Sequence, residues 1–157
     1  MQAHKTYTVE EAKKRMERYC AYQERCHKEV KAKLKHMRMI PEAADYIMSH
    51  LIQHGFLNET RFSQHFARGK FSVKKWGRHR IVRELKIRDI SPHNIKIAME
   101  EITGTEYTAT FEALVKKRLE QLQNETSPQK KKKKLADYLL YRGWESNLVW
   151  GKIAALF

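Results

Sequence analysis

Three 23-residue windows of this chain, Glu29–Leu51, Arg80–Ile102 and Lys134–Leu156, align with one another without a gap. Val30 falls on Ile81 and Leu135, Leu34 on Leu85 and Leu139, and Met48 on Met99 and Ile153. Ala44 matches Ile95 and Val149, and Leu51 matches Ile102 and Leu156. Met39, Ile90 and Trp144 share the position between the two apolar runs. Pro41 and Pro92 share the position that opens the second run, where the third copy has Ser146. Apolar periodicity alone aligns cheaply among helical segments. Agreement of periodicity, turn and proline together does not, so each window reads as a helix–turn–helix.

A further helix precedes each window, over about 9–25, 59–70 and 107–123, with apolar or capping residues at helical spacing. The expected architecture is therefore all-α, with three tandem three-helix repeats at 1–55, 56–106 and 107–157. Thr8 with Glu10 and Glu11, Asn58, and Ser91-Pro92 are helix starts, because a side-chain oxygen or a proline answers the unpaired first-turn amides. Gly55 closes the first repeat and Thr103-Gly104-Thr105 the second, with a bend between Gly69 and Gly77. Asn124–Gln129 reads as a polar loop that runs into Lys130–Lys134. Met16, Tyr19, Cys20 and Gln23 form the face of the first helix, and Phe62 and Phe66 that of the fourth. Trp76, Trp144 and Trp150 are read as packing residues, and Gly77 as a close backbone approach or special dihedral. A repeat of this size buries little core alone, so neighbours are expected to pack on one another in an elongated, curved molecule.

Charge bears on partners. The chain carries 32 Lys and Arg against 18 Asp and Glu, a net +14. The excess is spread evenly: eleven cations against seven acids in 1–55, eleven against six in 56–106, and ten against five in 107–157. The densest stretch holds Arg61, Arg68, Lys70, Lys74, Lys75, Arg78, Arg80, Arg83, Lys86 and Arg88 against the single acid Glu84. A second run is Lys130, Lys131, Lys132, Lys133 and Lys134, whose charges oppose the dipole of the helix they begin. On helices such cations leave one side while Ile81 and Leu85 leave another, an arrangement that follows a phosphate backbone or an acidic groove.

Chemistry of other kinds finds little support. No phosphate-binding glycine loop, nucleophile elbow or zinc-protease motif occurs, and no catalytic residue or cofactor is expected. Cys20 and Cys26, six apart, point in different directions on a helix and read as reduced thiols. His50 and His54 have a metal-compatible spacing but no ligand beside them in sequence, so no metal is expected. Met1-Gln2-Ala3-His4-Lys5 lacks an apolar leader core and no run is long enough to span a bilayer, so a cytoplasmic protein without membrane contact is expected.

The motifs resemble those of the RecX regulatory family. They are Gly55-Phe56-Leu57-Asn58-Glu59-Thr60-Arg61-Phe62, Gly77-Arg78-His79-Arg80-Ile81, Glu84-Leu85, Ile90, and Lys134-Leu135 through Leu139-Leu140-Tyr141-Arg142-Gly143-Trp144. The match runs in order over about 9–157. Family members carry Asp-Asp where this chain has Asn58-Glu59, Ala where it has Ser63, and Phe where it has Trp144. They carry Lys-Gly-Ile where it has Arg88-Asp89-Ile90, so a glycine cap is missing. These departures bear on turn geometry. The resemblance implies a non-enzymatic protein that binds the RecA recombinase filament on DNA and limits its growth, ATP hydrolysis, strand exchange and SOS co-protease activity. Arg61, Arg68, Lys70, Lys74, Lys75, Arg78, Arg80, Arg83, Lys130–Lys134 and Arg142 are the expected contacts, in a monomer with salt-dependent affinity for single- and double-stranded DNA. The alternative is a basic helical module acting on DNA directly; a basic RNA- or ribosome-associated protein is a third reading.

Overall fold

The computed structural model describes residues 5–157, so Met1 to His4, on which the leader argument drew, lie outside it. The described residues form nine helices and no strand. They are α1 Val9–Tyr22, α2 His27–His36, α3 Pro41–Gln53, α4 Glu59–Ser72, α5 Arg78–Ile87, α6 Pro92–Met99, α7 Gly104–Gln121, α8 Pro128–Tyr141 and α9 Ser146–Leu156. The chain exposes 10118 Å². A compact monomer of 18.7 kDa would expose about 8,300 Å². The repeats are thus strung out.

The starts lie where capping chemistry puts them. Thr8 and Glu11 exchange reciprocal amide hydrogen bonds, each 3.1 Å. Asn58 accepts from the Arg61 amide at 2.9 Å, and Ser91 from Asn94 ahead of Pro92. Two expectations are corrected. Thr103 does not close the second repeat. With Glu106 it builds a capping box that starts α7 at Gly104, so the division drawn at 106/107 falls inside a helix. We propose that the third repeat begins at Thr103. Likewise the loop expected over Asn124–Gln129 ends earlier, since Ser127 caps α8 and Pro128 and Gln129 already lie in its first turn, with Lys130–Lys134 following in the helix.

The aligned turns share one geometry. Arg38, Asp89 and Gly143 hold equivalent positions, and all three have positive φ, at 61°, 58° and 90°. After each of them the chain turns back to close the helix. Met39 donates to Leu34 at 3.1 Å, Ile90 to Leu85 at 3.1 Å and Trp144 to Leu139 at 3.2 Å. This is the Schellman closure with its apolar lock, kept at Asp89 although the glycine is missing.

The aligned apolar residues build the interior. Val30, Ile81 and Leu135 are fully buried, as are Leu34, Leu85 and Leu139. Repeats 2 and 3 share one core, centred on Phe71, Tyr107, Phe111 and Trp144, and Cys26 reaches into it from repeat 1. Repeat 1 departs from the expectation of shared packing. Ala12, Met16, Val30, Leu34, Ile47 and Leu51 form a separate core, with Leu57 closing it. Trp150 also departs, lying 49% exposed. It aligns with Asp45 and Lys96, so its position is on the outer face in every repeat.

The junction of repeats 2 and 3 runs through backbone. The Gly77 amide donates to the Arg142 carbonyl at 2.8 Å and that of His79 to the Gly143 carbonyl at 3.0 Å. The Arg78 amide donates to the Tyr107 hydroxyl at 2.9 Å, and the Trp144 indole to the Lys75 carbonyl at 3.1 Å. Gly77 has an ordinary φ of −79°. Its requirement is space, because a Cβ there would stand 2.6 Å from Gly143 backbone.

Candidate functional site

The expected contact cations divide into fasteners and free groups. Arg61 holds repeat 1 to repeat 2: its Nε meets Glu24 at 2.6 Å and it donates to the Gly55 carbonyl at 3.0 Å. Arg68 ties α4 to α7 through Glu106 at 3.3 Å, and donates to the Glu101 carbonyl. Arg78 pairs with Glu145 at 3.4 Å and lies 3.7 Å over the Tyr107 ring. The Tyr107 hydroxyl also donates to Glu145, and burial first, then that carboxylate, pushes its ionisation well above the ordinary phenol range. Lys133 pairs with Asp137 and Lys134 with Glu125, each at 2.8 Å. These acids lie far off in sequence for the arginines, and no local spacing rule connects them.

The remaining cations interleave with aromatic rings along one continuous surface. Arg88 lies 4.8 Å from the Phe66 centroid, and Lys70 lies 5.5 Å from Phe66 and 5.1 Å from Trp76. Arg80 then stands 4.2 Å from Trp76 and 4.8 Å from Tyr141, whose carbonyl it also meets at 3.2 Å. The series Arg88–Phe66–Lys70–Trp76–Arg80–Tyr141 crosses from repeat 2 into repeat 3. Arg88 is paired with Glu84 at 2.9 Å and anchors the series, whereas stacking on rings fixes Lys70 and Arg80 without neutralising them, so their charge stays available to an anion. Arg142 lies 3.8 Å over Tyr138 and Arg118 lies 5.0 Å from the same ring.

At its Phe66 end the series opens into a groove of about 520 Å³ between repeats 1 and 2. Phe62, Phe66 and Val73 give it apolar surface, and Lys70, Lys74 and Arg88 line it with charge. Its acids are engaged, Glu24 by Arg61 and Glu29 by Arg25 at 3.8 Å. Lys74 and Arg83 are exposed, and no acid pairs with them or with Lys75 among the described residues. Lys75 has a positive φ of 59° and caps the bend after α4. Lys130, Lys131 and Lys132 sit in the first turns of α8, where no acid stands, and Lys132 lies 5.6 Å from Phe157. They form a second cationic site, at a helix start that an anion would favour.

Sequence reasoning counted Arg88 in the basic stretch without placing it among the contacts, and missed the interleaving of the rings with the cations. Its signal was present in the spacing of Phe66 and Lys70, one helical turn apart. His50 is held by Glu17 at 2.9 Å, linking α1 to α3, and its ring lies 4.4 Å from the tilted ring of His54. Burial pushes the Cys20 and Cys26 thiols up to about 11, so neither is a nucleophile at neutral pH. No helix of the described residues is long and apolar enough to cross a membrane.

Fold and surface together define a tandem three-helix-repeat protein whose exposed chemistry is cationic and aromatic. Family models for the second and third three-helix domains of RecX match residues 58–99 and 105–153. The chain belongs to the RecX family, a family of regulatory proteins. Regulatory protein RecX of two strains of Lactobacillus delbrueckii subsp. bulgaricus is 28% identical over 131 residues, or 83% of this chain and 48% of the relative. The chain thus spans about half the length of the curated relatives it matches. The crystal structure of RecX from Lactobacillus salivarius superimposes with a TM-score of 0.79 at 20% identity, covering 94% of both chains. A crystal structure of regulatory protein RecX gives 0.81 at 20% identity, over 94% of this chain and 73% of that one. At that identity the likeness establishes the fold.

Proposed function

We propose that this protein is a non-enzymatic, cytoplasmic modulator of the RecA–DNA filament. It binds along the filament as a monomer and limits growth, ATP hydrolysis, strand exchange and co-protease activity. The observation that carries this reading is the cation–aromatic series from Arg88 to Tyr141, which continues across a repeat junction and into the groove lined by Lys74. A strung-out molecule with charge in every repeat matches an extended anionic track better than a point ligand. The filament offers such a track, with phosphate beside acidic protein surface.

Within that surface the roles divide. Lys70, Lys74, Lys75, Arg80, Arg83 and Arg142 face the filament, and Lys130–Lys132 extend the contact on repeat 3. Arg61, Arg68 and Arg78 act indirectly, by fixing how the repeats are set. Added to pre-formed filaments at low salt, the protein is expected to reduce DNA-dependent ATP hydrolysis at well below one molecule per recombinase. Unaltered hydrolysis under those conditions would sink the reading. Salt-dependent DNA binding that accounts for all activity, with no contact to the recombinase, would favour the direct DNA-binding alternative.

A further inference from the structure

Repeat 1 carries a second cation–aromatic surface that no part of the foregoing uses. On α1, Arg15, Arg18, Tyr19 and Tyr22 stand at i, i+3, i+4 and i+7, so they form one stripe. Its buried neighbours Ala12, Met16 and Cys20 form another. Lys33 of α2 and Met37, which caps its end, face the first stripe across an open cavity of about 610 Å³, with Met16 and Met37 at its base. Four cations, Arg15, Arg18, Arg25 and Lys33, and three tyrosines, Tyr7, Tyr19 and Tyr22, line the cavity, and no carboxylate does.

The rings and cations are already paired in part. Arg25 lies 3.7 Å over Tyr19 and donates to the Tyr19 carbonyl at 3.0 Å, so it is a fixed wall. Lys33 lies 5.5 Å from the same ring, and Arg15 lies 4.9 Å from Tyr7. Tyr22 has no such cover and is 83% exposed, more than any other large hydrophobic residue described. Arg15, Arg18 and Lys33 are exposed and have no acid partner among the described residues. A solvent-facing ring beside unpaired cations offers a ligand both a stacking face and positive charge.

We propose that this face of repeat 1 binds single-stranded nucleic acid, with a base stacked on Tyr22 and phosphates held by Arg15, Arg18 and Lys33. The geometry decides among polyanions. An acidic peptide would satisfy the cations and leave Tyr22 without a partner. A duplex offers phosphates but keeps its base faces stacked inside. A single strand presents both at the spacing of successive nucleotides. The site shares no residue with the surface on repeats 2 and 3 and does not rest on the recombinase reading.

The test uses the full chain carrying Lys74→Glu and Arg83→Glu, so that strand binding on repeats 2 and 3 is suppressed. Fluorescence anisotropy compares a labelled oligodeoxythymidylate with an abasic strand of the same length. The thymidylate is expected to bind about fivefold or more tightly than the abasic strand. Adding Tyr22→Ala removes most of that preference. Adding Arg18→Glu instead weakens both strands and flattens the salt dependence by about one ion. All of these positions are exposed, and helical circular dichroism is expected to be unchanged. Equal binding of the two strands, or an unchanged preference in the Tyr22 variant, overturns the proposal. Displacement of the strand by polyglutamate at equal charge would assign the face to an acidic protein instead and overturns it too.

Discussion

The amide of Gly77 donates to the carbonyl of Arg142 at 2.8 Å, so the unpaired start of α5 is closed by the unpaired end of α8. Helix starts expose amides and helix ends expose carbonyls, and here each satisfies the other across two repeats. This explains why α5 begins with no acid and no side-chain cap. The arginine-rich first turn of α5 is possible because a neighbouring repeat supplies the acceptors.

Gly77→Ala is therefore expected to cost about 2–3 kcal/mol, since its Cβ would meet backbone that cannot yield without opening the junction. Gly69→Ala serves as the contrast. Nothing lies within 4 Å of a Cβ there, and in a helix it should gain about 0.5–1 kcal/mol. Urea unfolding of both variants measures the difference, and equal effects would contradict the account of the junction.

The left-handed turn positions give opposite expectations. Arg38→Gly relieves a positive φ that side chains disfavour and should stabilise by about 1 kcal/mol. Asp89→Gly should gain less, because Asp tolerates this conformation better and its carboxylate faces Lys28 at 3.6 Å. Gly143→Ala should lose more than about 2 kcal/mol, since its Cβ would stand 2.2 Å from that of Arg80. Thermal unfolding of the three variants ranks them.

Glu59 gives a pH dependence. Burial raises its pKa, but hydrogen bonds from Asn94 at 2.6 Å and the Ser91 amide at 3.3 Å outweigh burial and hold it below the ordinary value. A depressed folded pKa contributes stability that is present above the unfolded value and lost as pH falls through the folded one. Wild-type stability should fall as pH drops from about 5 to 3. Glu59→Gln should flatten that slope. An identical slope in both proteins, measured by urea midpoints across pH, would contradict it.

Charge reversals should separate fasteners from contacts. Lys74→Glu with Arg83→Glu is expected to abolish inhibition of filament ATP hydrolysis with stability within about 0.5 kcal/mol of wild type. Arg78→Glu should lower stability as well, because it sets a like charge against Glu145 and uncovers Tyr107. Melting curves beside ATPase assays distinguish the two. Full inhibition by the Lys74 and Arg83 variant would show that another face is used.

The fold was legible because the repeat is written largely in residues that pack into the interior. Val30, Ile81 and Leu135 announce a shared core position, and Met39, Ile90 and Trp144 a shared turn. Leu156 keeps the pattern at the chain end but is 42% exposed. The candidate surface was legible only as charge. Counting cations along the chain treats Arg78 and Lys74 alike, yet one pairs with Glu145, 67 residues away, and the other is free. Pairing over such separations depends on how repeats are set against each other. The interleaved rings were hidden for the same reason, since Trp76, Arg80 and Tyr141 come from two repeats.

In the proposed complex the series from Arg88 to Tyr141 faces the recombinase filament. An electron cryomicroscopy image of the full chain bound to recombinase filaments on DNA tests it most directly. The account expects density following the filament track, with α4, α5 and the start of α8 turned inward and Lys74 and Arg83 against the filament. Density with those helices turned to solvent, or no density on filaments at saturating protein, would contradict it.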